Sequence, residues 1–457
     1  MYTPVARRSR SLYIALACAL TGCLIPMSIL AQAGSPAGPV PPRLLEARRE
    51  ALVEVLDGAM AVIGSQRLKS IDGDYPQDSD FRQDNNFFYL TGLEIPGGWL
   101  VLNGAGEGSE ALFLPSRNAM TEAWTGPQMG PGPEAQRASG IRDVRSSERF
   151  LGDVRSWTEG RGSGNGPVLD DVMVWPGHPA NQALLDEAFR DLPGETGDAF
   201  PLVAALRLVK DEDEIERIRR AVDITGEGHR EAWRIAEPGI TEFELEATIE
   251  YVFRSGGAER LGFPCIVGSG PNSVILHYDK SRRTTEDGDL VVMDLGAEFG
   301  YYSADITRTI PVNGRFTPRQ RAVYELVLGT LYAVIDSVRP GATLADLTRF
   351  GRAYMEEHSG DLCAPGSCAR YFIHGISHSL GMDVHDVGGY RAVLEPGMVL
   401  TIEPGIYIPE EELGIRIEDD VLVTERGSEV ISQALARDPD QVEAVMREAP
   451  RWVARRR

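Results

Sequence analysis

The sequence predicts an α/β protein in which a small amino-terminal α/β domain precedes a larger domain of mixed helices and strands. Three observations carry this. Short apolar runs of strand length (MAVIG, WLVLNG, EALFLP) alternate with helical stretches up to about Pro201. Long helical patterns then take over, at Asp211–Ile235, Thr241–Ser255 and Pro318–Val338, again interleaved with strands. Between them, DLVVMDLGAEFGYYSADITRT reads as two β-rich runs joined by a tight glycine-containing turn.

The elements follow in order. Residues 34–43 are rich in Pro, Gly and Ala and read as a leader. Arg43 to Met60 reads as an amphipathic helix, with Leu44, Leu45, Leu52, Val55 and Leu56 on its apolar side. The strand runs and the FRQDNNFFYLTG segment complete the first domain, whose middle, Gly126 to Gly166, reads as loop-rich. The acids at the start of Asp211–Ile235 suit a helix amino terminus, and Thr241 with Glu244 forms a capping-box pattern. Pro396-Gly397 opens the last hairpin. The expected layout is a signal peptide at 1–33, an amino-terminal α/β domain at 34–205, a larger second domain at 206–446 and a basic tail at 447–457.

The chain has 457 residues, enough for two or three domains with large cores. Its formal charge of −22 argues against nucleic acid, which needs Lys and Arg to neutralise phosphate. At the amino terminus Arg7, Arg8 and Arg10 precede an apolar run from about Leu12 to Leu30, and Ala31-Gln32-Ala33 is an A-x-A cleavage signal. Cleavage after Ala33 removes those three Arg and no acid, taking the charge from −22 to −25. Leu20-Thr21-Gly22-Cys23 resembles a lipoprotein box, but the apolar LIPMSIL that follows is unlike a polar tether. The expectation is therefore an exported protein, periplasmic or secreted, with lipidation at Cys23 the alternative. Export implies an oxidising compartment, and Cys363-Ala-Pro-Gly-Ser-Cys368 is a short loop suited to a disulfide. Cys265 would then be an unpaired, buried small hydrophobe.

Five residues of metal-ligand type lie in order in the second half: Asp294, Asp305, His378, Glu403 and Glu418. Asp294 follows VVM, Asp305 lies between Ala304 and Ile306, and Glu403 follows MVLTI. A charge buried in such runs is costly unless paired or metal-bound. A two-residue loop at Phe299-Gly300 would set Asp294 directly opposite Asp305, Cβ to Cβ within about 5.5 Å. Four carboxylates and one imidazole suit two divalent cations, Mn²⁺ first, with Co²⁺, Fe²⁺ or Zn²⁺ compatible. His277, His374 and His385 fall near this set, and Arg416 lies two residues from Glu418 on one strand face. His374 and His378 are spaced i, i+4, but the text is HGISH. It lacks the zincin glutamate, and Gly375 argues against a helix.

The texts MDLGAEFGYYSADITRT, HGISHSLGMDVHDVG, LTIEPGIYI and GIRIEDDVLV resemble the pita-bread metallopeptidase family (M24), and within it the Xaa-Pro aminopeptidase (aminopeptidase P) branch. They span about Leu206 to Val430, and FRQDNNFFYLTG is similar to that branch's amino-terminal domain. The resemblance implies an α/β fold with a pita-bread (creatinase/aminopeptidase-like) α+β catalytic domain. It implies a dinuclear metal site held by Asp294, Asp305, His378, Glu403 and Glu418, with Asp305 and Glu418 bridging. It places His277, His374 and His385 on the substrate side, Arg416 and Tyr407 beside the metals, and Glu403 as proton shuttle. The implied reaction removes the amino-terminal residue of peptides with proline second, by a bridging hydroxide. The implied assembly is a homo-dimer or homo-tetramer. A prolidase, cutting Xaa-Pro dipeptides, shares this fold and ligand set. A metal-free pita-bread binding protein would lose ligands that this chain keeps. The Cys363–Cys368 insert and Ser379 depart from the family text without touching a ligand.

Overall fold

The computed structural model describes residues 36–68, 81–104, 110–159, 172–190 and 196–452. The expected signal peptide, the Cys23 box and the end of the basic tail lie outside them. Residues 34–457 form one compact unit.

The first half is a six-stranded sheet in the order Val144–Ser146, Glu110–Leu114, Trp99–Asn103, Met60–Gly64, Val172–Trp175, Thr196–Asp198. Met60–Gly64 is buried throughout and pairs antiparallel with Trp99–Asn103 and parallel with Val172–Trp175. The first helix is Pro42–Val55, stopping short of Met60 because that residue already belongs to the sheet. The stretch after Gly126 is more regular than its composition suggests. It holds helices Pro133–Ser139 and Phe150–Glu159. The first starts on proline and stops at left-handed Gly140, so two loop-type residues act as caps.

The second half begins where helix Phe200–Leu208 runs through Leu206 and the chain leaves it at Val209. Helix Glu212–Ile235 starts on an Asp211–Glu214 capping box, Glu242–Gly256 on Thr241–Glu244, Pro318–Ser337 on Thr317–Gln320 and Leu344–His358 on Thr343–Asp346. Each box satisfies helix N–H groups that would otherwise lack partners, about 1 kcal/mol per cap. Inside lie four short antiparallel sheets: Ile306–Pro311, Leu290–Leu295 and Ile266–Ser269; Tyr302–Ser303, Ala297–Phe299 and Arg260–Leu261; Val399–Ile402, Asp419–Thr424 and Gly427–Val430; and the pair Gly405–Ile408 with Leu413–Arg416. Leu290–Leu295 and Ile306–Pro311 are buried along their whole length, which is why Asp294 in the first and Asp305 just before the second stand out among apolar neighbours. Cys363 and Cys368 are disulfide-bonded, and Cys265 is free and buried.

A buried ion cluster ties the connection between the halves to the loop carrying His385. Arg207 Nη2 donates to Asp386 at 2.6 Å and to Asp383 at 3.0 Å, and Nη1 to Asn86 Oδ1 at 2.8 Å. Lys210 reaches Asp386 at 3.1 Å. Burial alone would raise the Asp386 carboxyl, but Lys210 and Arg207 outweigh it and hold it below its ordinary value. Replacing Asp386 with Asn should therefore leave two buried cations short of a counter-charge and cost about 3 kcal/mol in urea unfolding. Because the folded pKa is depressed, this stabilisation is complete at neutral pH and fades as pH falls through and below the ordinary carboxylate range. The gap between the two proteins should close there; a gap independent of pH would contradict the ion-pair account.

Candidate metal centre

The site starts from the central hairpin. Its register sets Thr307 opposite Asp294 and Ile306 opposite Leu295, and continues outward as Glu298 opposite Ser303 and Phe299 opposite Tyr302. The turn is thus Gly300-Tyr301, and Asp294 does not face Asp305 as expected. Asp305 lies two residues before Thr307, so the two carboxylates are diagonal neighbours on the same face. Gly300 and Tyr301 have φ of 58° and 74°, the pair of positive values a tight type I′ hairpin turn requires. A left-handed tyrosine costs free energy. Tertiary contacts hold it there. Phe88 stacks on its ring at 3.7 Å, its hydroxyl donates to Glu94 at 2.5 Å and accepts from Gln83 N at 2.9 Å. Sliding the turn by one residue shifts the register by two, which preserves the parity of the faces.

Asp305, His378 and Glu418 place ligand atoms within 4.8 Å of one another. His378 Nε2 is 3.3 Å from Asp305 Oδ2 and 3.9 Å from Glu403 Oε1. Its Nδ1 lies 3.1 Å from the Ser379 carbonyl. A carbonyl only accepts, so Nδ1 carries the hydrogen, and in the neutral ring Nε2 turns a lone pair toward two carboxylates. A cation among these atoms would convert that repulsion into ligation. Asp294 and Glu403 flank the cluster. Asp294 Oδ2 accepts from Arg416 Nη2 at 2.7 Å, and Glu403 Oε2 is 3.5 Å from His374 Nδ1.

The electrostatics agree. Burial, then the charges of Asp294 and Asp420, push the Asp305 carboxyl far up. Burial, then Asp305 and Glu403, do the same to Glu418. Glu403 is pushed up to about 7, chiefly by burial. Asp294 alone is held down, because Arg416 overcomes its burial. Asp294 Oδ1, Asp305 Oδ1 and Asp420 Oδ1 are buried without a hydrogen-bond partner among the described residues. Unpartnered buried carboxylate oxygens converging with one imidazole fit a hard divalent cation.

Arg416 organises the surroundings. Its Nη1 donates to the Tyr407 hydroxyl at 2.9 Å, which lies 2.8 Å from His374 Nε2, while His374 Nδ1 is 2.7 Å from the Gly375 carbonyl. Burial, then Arg416, pushes His374 down to about 4, so the ring is neutral. Arg416 Nε donates to Thr307 Oγ1 at 3.0 Å, and that hydroxyl donates to Glu418 at 2.7 Å. HGISH is not helical, as its glycine indicated. The His385 ring lies tilted against that of His378, centroids 4.0 Å apart, and burial followed by His378 and His277 lowers its pKa. His277 and His385 are exposed.

Thr307 and Asp420 escaped sequence reasoning. Thr307 shares a face with Asp305, so parity alone pointed to it. Asp420 is fully buried and accepts from Asp305 N at 3.2 Å. The signal was three consecutive acids, Glu418, Asp419 and Asp420, ahead of an apolar strand.

Comparison with known proteins matches residues 216–425 to metallopeptidase family M24 and residues 45–163 to the aminopeptidase P amino-terminal domain. The chain is 36% identical over 434 residues to a Xaa-Pro aminopeptidase of Escherichia coli (strain K12), covering 87% of this chain and 96% of that one. It is 31% identical over 423 residues to a human Xaa-Pro dipeptidase, covering 80% and 84%. Proline aminopeptidase P II from Yersinia pestis superposes with a TM-score of 0.79 at 33% identity, over 89% of this chain and 99% of that one. The fold class expected from the sequence is the one these neighbours share.

The metal-free protein should lose stability as pH rises from about 4.5 toward about 7, because the Glu403 pKa is raised on folding and its ionisation opposes the fold. A divalent cation should remove that loss and add about 2.7 kcal/mol at a hundredfold excess over its Kd. Thermal melts across pH, with and without Mn²⁺, read both effects. The gain should vanish in Asp305→Asn.

Proposed function

The chain belongs to metallopeptidase family M24, and we propose that within it this protein removes the amino-terminal residue from peptides whose second residue is proline. The observation that carries the reading is the convergence of ligand atoms of Asp305, His378 and Glu418 within 4.8 Å, flanked by Asp294 and Glu403, with buried oxygens of Asp294 and Asp305 that lack a hydrogen-bond partner among the described residues. The match of both halves to aminopeptidase P supports the choice of substrate.

In this proposal Asp294, Asp305, His378, Glu403 and Glu418 hold two divalent ions, Mn²⁺ first among the candidates. Bound there, such ions polarise the scissile carbonyl and supply a water nucleophile near neutral pH. The remaining work belongs to the chain. Glu403, whose carboxyl is pushed up to about 7 chiefly by burial, moves the proton from the attacking water toward the leaving amine. Arg416 fixes the Asp294 carboxylate and, through Thr307, aims Glu418. Tyr407 passes the orientation on by donating to neutral His374. Both ring nitrogens of His374 are engaged, so the geometry supports a role in shaping the pocket wall. In this reading His277 and His385 donate hydrogen bonds to the substrate carbonyls, and their exposure supports it.

We propose export as well, with cleavage after Ala33 and lipidation at Cys23 as the alternative. The Cys363–Cys368 bond supports it, since such bonds persist in oxidising compartments.

Assayed with Mn²⁺, the protein should cleave a tripeptide with proline second and leave the corresponding Xaa-Pro dipeptide nearly untouched. The reverse preference would make it a prolidase. Asp305→Asn should lower kcat/KM by at least about a thousandfold, the scale expected when a Lewis acid is lost.

A further inference from the structure

Glu242 is the first residue of helix Glu242–Gly256, and its side chain is 0% exposed. A buried carboxylate needs compensation, and this one receives it from five neutral donors. Oε1 accepts from Ser269 N at 2.8 Å, Ser269 Oγ at 2.8 Å and Asn272 Nδ2 at 2.9 Å. Oε2 accepts from the Tyr278 hydroxyl at 2.9 Å and Arg283 N at 2.8 Å. All five donors belong to one stretch, 269–283, which leaves the strand Ile266–Ser269 and contains His277. One oxygen thus fastens the beginning of the loop and the other its end. Elsewhere the loop is held at Ser273, whose hydroxyl accepts from Gly414 N at 2.9 Å, and at Leu276, whose carbonyl lies 3.4 Å from Arg416 Nη2. His277 sits between Asn272 and Tyr278, and it is exposed.

We propose that Glu242 is a positioning residue for His277. It closes the 269–283 loop so that the imidazole stands beside His385 at the open side of the metal centre. The proposal rests on the peptidase reading for what His277 does there. The carboxylate charge is the working feature, because it lets each of two oxygens accept several hydrogen bonds at once. A glutamine has a single acceptor oxygen. Whichever way it turns, its NH₂ meets a backbone N–H, of Ser269 or of Arg283, which cannot accept.

The test is a double-mutant cycle in the full chain loaded with Mn²⁺, joined to hydrogen exchange. Glu242→Gln should lower kcat/KM on the proline tripeptide by about 10- to 100-fold, the scale of losses when partners that orient a functional group are removed. Bound metal should stay unchanged. In a His277→Ala background the same substitution should change kcat/KM by less than about twofold. Amides within 269–283 should exchange faster in Glu242→Gln, with helix Glu212–Ile235 unaffected. An equal fold-loss in both backgrounds would show that Glu242 acts on the fold at large and would overturn the proposal. So would unchanged exchange in 269–283, which decides the matter even if the wild type cleaves no Xaa-Pro peptide. That last result alone would sink the reaction proposed above. If Glu242→Gln does not fold, Tyr278→Phe removes one donor from the loop's end and should show the same pattern with a smaller loss.

Discussion

Repulsion among buried carboxylates is the constraint around which this chain is arranged. Asp294, Asp305, Glu403, Glu418 and Asp420 share one interior, and two unit charges about 4 Å apart still interact by roughly 4 kcal/mol at an effective dielectric of 20. The protein answers with a single buried guanidinium on Asp294, while burial and mutual repulsion push the carboxyls of Asp305 and Glu418 far up and that of Glu403 to about 7. Arg416 can neutralise one carboxylate but not the set. The fold therefore holds a charge deficit in place, and the deficit has the size and chemistry of divalent cations. Stability and function pull against each other here: the repulsion that weakens the empty fold is what gives the centre its affinity.

Such a deficit persists only on rigid supports. The hairpin supplies Asp294 and Asp305, the strand end at Ile402 delivers Glu403, and the step from Arg416 toward Asp419 presents Glu418. Hydrogen bonds stitch these pieces together beneath the acids: Glu418 N donates to Thr307 O at 3.0 Å, and Thr309 Oγ1 to Arg416 O at 2.9 Å. Below, Arg308 pairs with fully buried Asp419 at 2.8 Å. Backbone and side-chain bonds from the neighbouring strands thus fix the spacing of the acids.

Much of this was legible in the sequence. The capping box of helix Glu242–Gly256 was readable because it depends on two residues three positions apart, Thr241 and Glu244. The ligand-type acids were conspicuous because a charge inside an apolar run is costly to bury unless a partner or a metal offsets it. Face parity in the hairpin survived, since a two-residue slip leaves every side chain on its own face. What stayed hidden came from long range. The turn moved to Gly300-Tyr301 because Phe88, Glu94 and Gln83 hold the tyrosine, and no local rule anticipates partners some two hundred residues away. Thr307 and Asp420 were overlooked for a different reason. A threonine in a strand and the last of three acids are ordinary text until their hydrogen bonds are seen.

The two exposed histidines sit on loops rather than strands, and each loop is tied down by a buried carboxylate that is not part of the metal centre. Asp386 does this beside His385 with cations from the connection between the halves, and Glu242 does it around His277 with neutral donors. The contrast is physical. Ion pairs link segments far apart in sequence, where a strong, long-armed contact is needed. Several short hydrogen bonds to one carboxylate suit a loop that must close on itself. In the proposed function the metal end of the site is thus built from strands under electrostatic strain, and the substrate end from loops held by satisfied carboxylates. Changes in the second set can alter which peptide is accepted while leaving the cation-binding chemistry in place.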